Sequence, residues 1–463
     1  MPELYPGQVK GVRWMSKALA KYKGCILADR PGWGKTAQAI EIGKKCQARG
    51  PVLVICPAYI IYNWLDELTL WGIDRRDICV IDSTKQILDD ARWYVVSYNM
   101  ASHVTRTAGA DGRPIKKPGQ IFTQLYAIEW GLIIADEYHA LKTPGAQRSR
   151  LILGTGNNKK TNLLNKTYRF IGLTGTPLIN RVDEIYNLVV KIAPSIFKGI
   201  TRHQFILHFA AHIENTPWGL KHRGVKNVDE LKKLLAPVML SRSRIDGLPD
   251  RIDRTVPIKI TGAALKAFIK QENEFIQKYH LSGGDLDALQ KAVKLEGPKI
   301  AELRQQTAFY KIPVALQAIA EGWEKGENIL IGVYHRKIQD ALYQELVKKF
   351  PGKKIGIING GVDKKKRHAI IAAYQAGEID CILTTISAMR EGVNVTRGFS
   401  VYILEYPWTP AELEQFIARV HRKGQDKTVY VHYFAFQGGI DAIISRTLKT
   451  KKNMINKIME VNK

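Results

Sequence analysis

Four short segments hold side chains of the types that handle phosphate groups. In CILADRPGWGKT (25–36) a strand leads through a glycine-rich turn to a helix starting near Lys35. Small residues let backbone N–H groups close around an anion, and a helix N-terminus adds a favourable dipole. Lys35 is placed to reach β- and γ-phosphates, and the Thr36 hydroxyl to ligate Mg2+. Gly32, Trp33 and Gly34 form the turn, while Asp29 stands where the GxxxxGK[ST] pattern has its first glycine. Taken alone, the alternative is a glycine turn that only joins strand to helix.

GLIIADEYHALK (131–142) puts Asp136 and Glu137 at the C-terminal end of an apolar run, where doubly wound sheets keep their ligand-binding residues. Asp136 suits an Mg2+ shell, and Glu137 suits polarising a water molecule. His139 is placed to couple this pair to other parts of the chain. LTGTP (173–177) follows another apolar run and draws its weight from order and position. ELEQFIARVHRKGQ (412–425), read as one helix, sets Gln415, Arg419 and Arg422 on a single face, with Phe416, Ile417 and Val420 turned to the core. Two arginines on a rigid face suit charge developing on a γ-phosphate. The alternative is a solvated basic face.

These segments need a scaffold. Short apolar runs at 25–28, 52–56, 94–97, 131–135 and 170–174 alternate with helical stretches. A second set lies at 329–333, 355–358, 381–385, 401–404 and 429–434. Runs of four to six residues rich in Val and Ile read as buried parallel strands. Ile338, Ala341, Leu342 and Leu346 mark one helix face. The expected fold class is α/β, with two doubly wound parallel-sheet lobes and a helical insertion between them. The first lobe is expected over 1–194, the insertion and linker over 195–310, the second lobe over 311–440, and a basic helix packing back on the lobes over 441–463. Stretches 105–120 and 154–167 read as surface loops. Lys+Arg 70 against Asp+Glu 43 leaves a net charge of +27, which points to a polyanionic partner, most simply nucleic acid. Five cysteines without a CxxC pair fit a reducing, intracellular setting. No apolar run approaches the ~18 residues of a membrane span.

In this order the blocks resemble the Swi/Snf-type ATPases of helicase superfamily II, from about residue 4 to about residue 450. LYPGQVKGVRWM is similar to the opening motif, ADRPGWGKT to motif I, VLVICPAYIIYNWLDEL (52–68) to motif Ia and DEYH to motif II. LTGTP resembles motif III, YHRKIQDAL motif IV, ISAMREGVNV (386–395) motif V, and YPWTPAELEQFIARVHRKGQ the Trp-Asn-Pro block with motif VI. YKIP (310–313) and VYHRKIQDAL (333–342) look closest to the annealing-helicase branch. The departures are Arg30 and Pro31 in place of Glu-Met, Ser241 for a basic residue, and Met389 and Arg390 for Gly-Gly.

The resemblance implies two RecA-like lobes and ATP with Mg2+ as nucleotide and cofactor. ATP would lie between the lobes, held by Gln8, Asp29, Gly32, Trp33, Gly34, Lys35, Thr36, Gly392 and Gln415. Lys35, Asp136, Glu137, Arg419 and Arg422 would be catalytic, with Thr36 and Asp136 on the metal. Double-stranded DNA is the implied partner, read through its backbone with little sequence preference. Its implied contacts are Ser97, Tyr98, His335, Arg336, Asn359, Gly360, Thr385 and Trp408. The expected activity is a DNA-dependent ATPase that translocates on duplex, with remodelling or annealing of DNA structures among the outcomes the resemblance implies. It is expected to work as a monomer, in the cytoplasm of a bacterium or a phage-infected cell. The competing readings are a strand-separating DNA or RNA helicase and a non-catalytic DNA-binding scaffold.

Overall fold

The computed structural model describes residues 2–108, 114–155, 161–175, 181–217, 219–242, 247–259, 262–281, 286–390, 394–436 and 438–459. The chain divides into two compact units, residues 1–246 with 454–463 and residues 247–453.

The first unit is built on a seven-stranded sheet in the order Met239–Leu240, Gly24–Leu27, Thr167–Leu173, Trp130–Asp136, Val52–Cys56, Trp93–Ser97 and Ile78–Ile81. Every pairing in it is parallel. Gly24–Leu27, Val52–Cys56 and Trp93–Ser97 are buried along their whole length. Val54, Ile134 and Ile171 pack on one face, Leu53, Ile133 and Phe170 on the other, which is why these strands read as unbroken apolar runs.

The second unit has a six-stranded parallel sheet in the order Arg251–Ile258, Val429–Phe436, Ser400–Ile403, Ile329–Val333, Cys381–Thr385 and Ile355–Ile358. The face expected for the helix Arg336–Lys349 is the buried one, with Ile338, Leu342 and Leu346 in the core. All ten expected strands are present. Three edge strands escaped the pattern. Ile78–Ile81 is short, Met239–Leu240 has two residues, and Arg251–Ile258 is mostly solvent-facing and polar.

The stretch 195–310 is therefore divided. Met239–Leu240 closes one edge of the first sheet, and Arg251–Ile258 one edge of the second. Its helices include Ala263–Lys278 and the start of Leu286–Glu324, which breaks at Glu296 (φ −132°, ψ 35°), just ahead of Pro298. The stretch 105–120, read as a surface loop, instead contributes to an antiparallel pair of Val104–Ala108 with Pro114–Pro118. The basic helix begins at Gly439, and its Ile440, Ile443, Ile444 and Leu448 join the core of the second unit. The five cysteines are free thiols, and no helix among the described residues is long and apolar enough to cross a membrane.

Lys311 ties the second unit together. Its side chain is wholly buried, and Nζ donates to Leu404 O (2.8 Å), Phe434 O (2.9 Å) and Asp441 Oδ1 (2.7 Å). One ammonium thus joins a helix, the ends of two neighbouring strands and the C-terminal helix. A buried charge with all its partners in place is sound, and removing one partner strands the other. Lys311→Ala should lower the stability of the second unit's urea transition by about 3–5 kcal/mol. A loss below about 1 kcal/mol would show that the network contributes little.

Candidate nucleotide site

The helix Lys35–Cys46 starts directly from Gly34, whose φ of 66° and ψ of 47° lie in the left-handed region. A Cβ there would also stand 2.2 Å from Gln8 Nε2, so only glycine fits. The turn's carbonyls are held inward. Gln8 and Gln38 each donate to Trp33 O at 3.3 Å, Gln38 also donates to Gly34 O, and Lys35 Nζ donates to Asp29 O at 2.7 Å. In a trans peptide the following N–H points the opposite way, so the N–H groups of Gly34 and Lys35 face outward. That is the arrangement a phosphate needs.

Asp29 has another task. It is fully buried, and Arg242 engages both its oxygens, with Nε donating to Oδ1 at 2.9 Å. The same guanidinium donates to Gln38 Oε1 (2.9 Å) and Gly7 O and lies 4.2 Å from the centre of the Trp33 ring. Arg242 therefore clamps the loop, the opening helix and the last strand of the sheet. The Asp29 carboxylate faces the protein and not a ligand. Trp33 is likewise buried under Arg242 and Gly7, so its backbone is what the turn offers.

At the end of Trp130–Asp136 two carboxylates stand side by side, largely out of water. Asp136 Oδ2 accepts from Trp64 Nε1 (2.9 Å), Oδ1 accepts from Glu137 N (2.9 Å), and Tyr98 Oη donates to Asp136 O (2.8 Å). Burial and the neighbouring Glu137 push the Asp136 carboxyl up to about 6. Burial would raise Glu137 too, but His139, Lys35 and Thr174 outweigh it and hold Glu137 below its ordinary value. Thr174 Oγ1 donates to Glu137 Oε2 (3.2 Å), and His139 Nδ1 lies 3.2 Å from the same oxygen. Glu137 has φ 51°, a left-handed backbone on a residue with a side chain. Such strain collects at working sites. Lys35, Asp136 and Glu137 thus share one site, and the positive charge of Lys35 favours the ionised form of both acids.

The structure relocates several expected contacts. Ser97 and Tyr98 are buried. The Ser97 hydroxyl caps its turn by accepting from Met100 N, and Tyr98 supports Asp136. Their side chains are spent inside the unit and do not face a nucleic acid. In the second unit His335, Asn359, Thr385 and Trp408 gather around the C-terminal ends of its strands. Asn359 and Thr385 are buried, and Asn359 Nδ2 donates to Gln339 Oε1 (3.0 Å). His335 Nδ1 is 2.5 Å from Glu405 Oε1, whose partner oxygen accepts from the backbone N–H groups of Tyr334 and His335. Trp408 stacks on the buried Arg304, which Tyr334 covers on another side. Arg336 and Gly360 are exposed. Gly392 lies outside the described residues, as do Thr176 and Pro177 of LTGTP.

The arginine helix is shorter than its pattern. It runs from Pro410 to Ile417, and Arg419 and Arg422 lie in the turns that follow. They therefore share no helix face with Gln415. The reason is Gln425, buried, whose Nε2 donates to Thr396 O (3.0 Å), Gly398 O (2.7 Å) and Val420 O (3.3 Å). Arg419 O also accepts from Val395 N (3.0 Å). These bonds pull the chain out of the helix. Phe416, Ile417 and Val420 do pack in the core. Sequence reasoning missed Arg242 and Arg304, since each acts on partners far along the chain, and Gln38, which braces the neighbouring turn while accepting from the distant Arg242.

The SNF2-related domain profile matches residues 7–317, and the helicase conserved C-terminal domain profile matches 311–424. The chain is 25% identical to the DNA annealing helicase and endonuclease ZRANB3 of Bos taurus, over 97% of this chain and 40% of that protein. It is 26% identical to the SWI/SNF-related matrix-associated actin-dependent regulator of chromatin subfamily A-like protein 1 of Xenopus tropicalis, over 95% and 43%. To the putative ATP-dependent helicase/translocase YwqA of Bacillus subtilis (strain 168) it is 23% identical, over 99% and 49%. The chain spans about two fifths of the first two relatives and half of the third. Among solved structures it is similar to the Sulfolobus solfataricus SWI2/SNF2 ATPase core in complex with dsDNA, at 23% identity and a TM-score of 0.45, covering 99% of this chain and 93% of that one.

The geometry makes Trp64 a reporter on Asp136. The Trp64 indole N–H resonance should titrate with a midpoint near pH 6, and the titration should vanish in Asp136→Asn. An indole signal flat between about pH 5 and pH 7 would contradict the raised carboxyl.

Proposed function

The chain belongs to the SNF2-related domain family, and from that premise we propose that it hydrolyses ATP in response to DNA and moves along the duplex. The observation that carries this reading is the meeting of Lys35, Asp136 and Glu137 in one largely buried site at the end of a parallel strand. The relatives named as an annealing helicase and a helicase/translocase support it, as does the net charge of +27.

The chemistry follows from the residues. The outward N–H groups of the turn and the Lys35 ammonium bind the phosphates of ATP. Two neighbouring carboxylates, of which burial and then the charge of Glu137 raise Asp136, make a fitting seat for a divalent cation. Thr36 and Asp136 are the residues that would hold Mg2+, which supplies positive charge against the β- and γ-oxygens when bound. Glu137, kept ionised, accepts a hydrogen bond from the attacking water and draws its proton. Thr174 and His139 fix the Glu137 carboxylate in place, and Trp64 fixes Asp136. Arg419 and Arg422 are proposed as further charges that hydrolysis requires. Backbone contacts to DNA fall to exposed groups such as Arg336 and Gly360, and bring no base preference.

The test is steady-state ATP turnover with no nucleic acid, duplex DNA, single-stranded DNA and RNA. Duplex DNA should stimulate most, and Lys35→Ala should lose about 10²-fold or more of the stimulated rate. Equal turnover in all four conditions would overturn the DNA-driven reading. Normal turnover in Lys35→Ala would overturn the site.

A further inference from the structure

Because every strand of the first sheet runs the same way, the sheet has one edge of strand ends and one of strand starts. Asp136, Glu137 and the turn after Leu27 lie on the first edge. The second edge is crowded with cations. Lys23 precedes Gly24–Leu27, Lys166 precedes Thr167–Leu173, and Arg49 leads into Val52–Cys56. These strands belong to one run of four neighbours, with Trp130–Asp136 between the last two. Lys21 ends the helix ahead of Lys23.

The side chains are organised and not merely basic. Tyr168, 43% exposed, has the Arg169 guanidinium 3.9 Å from its ring centre and the Arg49 guanidinium at 5.1 Å. Arg169 Nη2 also donates to Tyr168 Oη (3.0 Å). Two cations share one ring, although like charges so placed repel. Among the described residues the only carboxylate paired with any of these cations is Glu129, 2.5 Å from Lys166 Nζ. Lys23 feels the crowding: burial and the charge of Arg169 both lower its affinity for a proton. Arg169 spends donors on Tyr168 itself and adds charge, while the Arg49 guanidinium over the same ring can turn its N–H edge toward phosphate oxygens.

We propose that this edge is a second phosphate-binding surface, which takes the backbone of a nucleic acid away from the nucleotide site. The seven residues of Trp130–Asp136 set the two edges about 20 Å apart. The cations spread across four adjacent strands, about 15 Å, which is wider than a single phosphate and suits a run of them. The assignment rests on the reading of the chain as a DNA-driven ATPase, and it adds a contact that the motor's own binding does not need.

The experiment uses the whole chain and a short labelled DNA duplex at low salt. Wild type should take up two duplexes, one in a tight step and one in a weak step that falls steeply with salt. Arg49→Gln/Arg169→Gln should weaken the second step about tenfold or more. So should Lys21→Gln/Arg49→Gln, which alters only exposed side chains. The tight step and duplex-saturated ATP turnover should stay at the wild-type level in both. A single step in wild type, or a second step unchanged in both variants, would make this edge an ordinary solvated surface while leaving the motor reading intact. Absence of any DNA binding by wild type would overturn the motor reading and this inference with it.

Discussion

Two carboxylates stand side by side and largely out of water, so burial first and then their mutual repulsion work against their charges, and the residues around them answer that cost. A buried parallel strand delivers Asp136 to its end, with Glu137 directly after it. The surroundings resolve the conflict by treating the two acids differently. Asp136 keeps two donors, Trp64 and a backbone N–H, and still has its carboxyl pushed up to about 6. Glu137 twists into a left-handed backbone and gains Thr174 and His139, which hold it below the ordinary range. One acid is left wanting a cation and the other is left ionised, as a metal ligand and a base require.

The glycine turn after Leu27, proposed to hold phosphate, depends on a comparable arrangement. Arg242 stands 213 residues beyond Asp29, yet it engages both oxygens of that buried acid, covers Trp33 and reaches Gln38. Gln38 and Gln8 then hold the carbonyls of the turn inward. The last two-residue strand of the sheet is therefore no accessory, because it delivers Arg242 to the turn. In the second unit Lys311 does the corresponding work for strand ends, joining Leu404, Phe434 and Asp441.

What was legible in the sequence was what is local. GWGKT and DEYH are contiguous, and their flanking apolar runs announce buried strands. The α/β class followed from the same alternation. Partners far apart left no local trace, so Arg242 on Asp29 and Arg304 between Tyr334 and Trp408 were invisible. The edge strand Arg251–Ile258 was missed because solvent on its residues removes the apolar signal. The hairpin 104–118 was hidden by its polar strands and by Pro114 and Pro118. The arginine segment misled for a different reason. Its helical period continues to Val420, but tertiary hydrogen bonds from Gln425 end the helix at Ile417. Ser97 and Tyr98 misled because residues that belong to a motif need not touch its ligand.

Asp136 and Glu137 divide the proposed work between them, and Glu137→Gln isolates that division. The amide keeps the size of the side chain and gives up its ability to take a proton from water. Mg2+–ATP affinity and the single-turnover hydrolysis rate on duplex DNA should be measured together for this variant and wild type. Affinity should stay within about threefold while the rate falls by about 10²–10⁴. Equal losses in both would make Glu137 a binding residue, and an unchanged rate would remove it from the chemistry altogether.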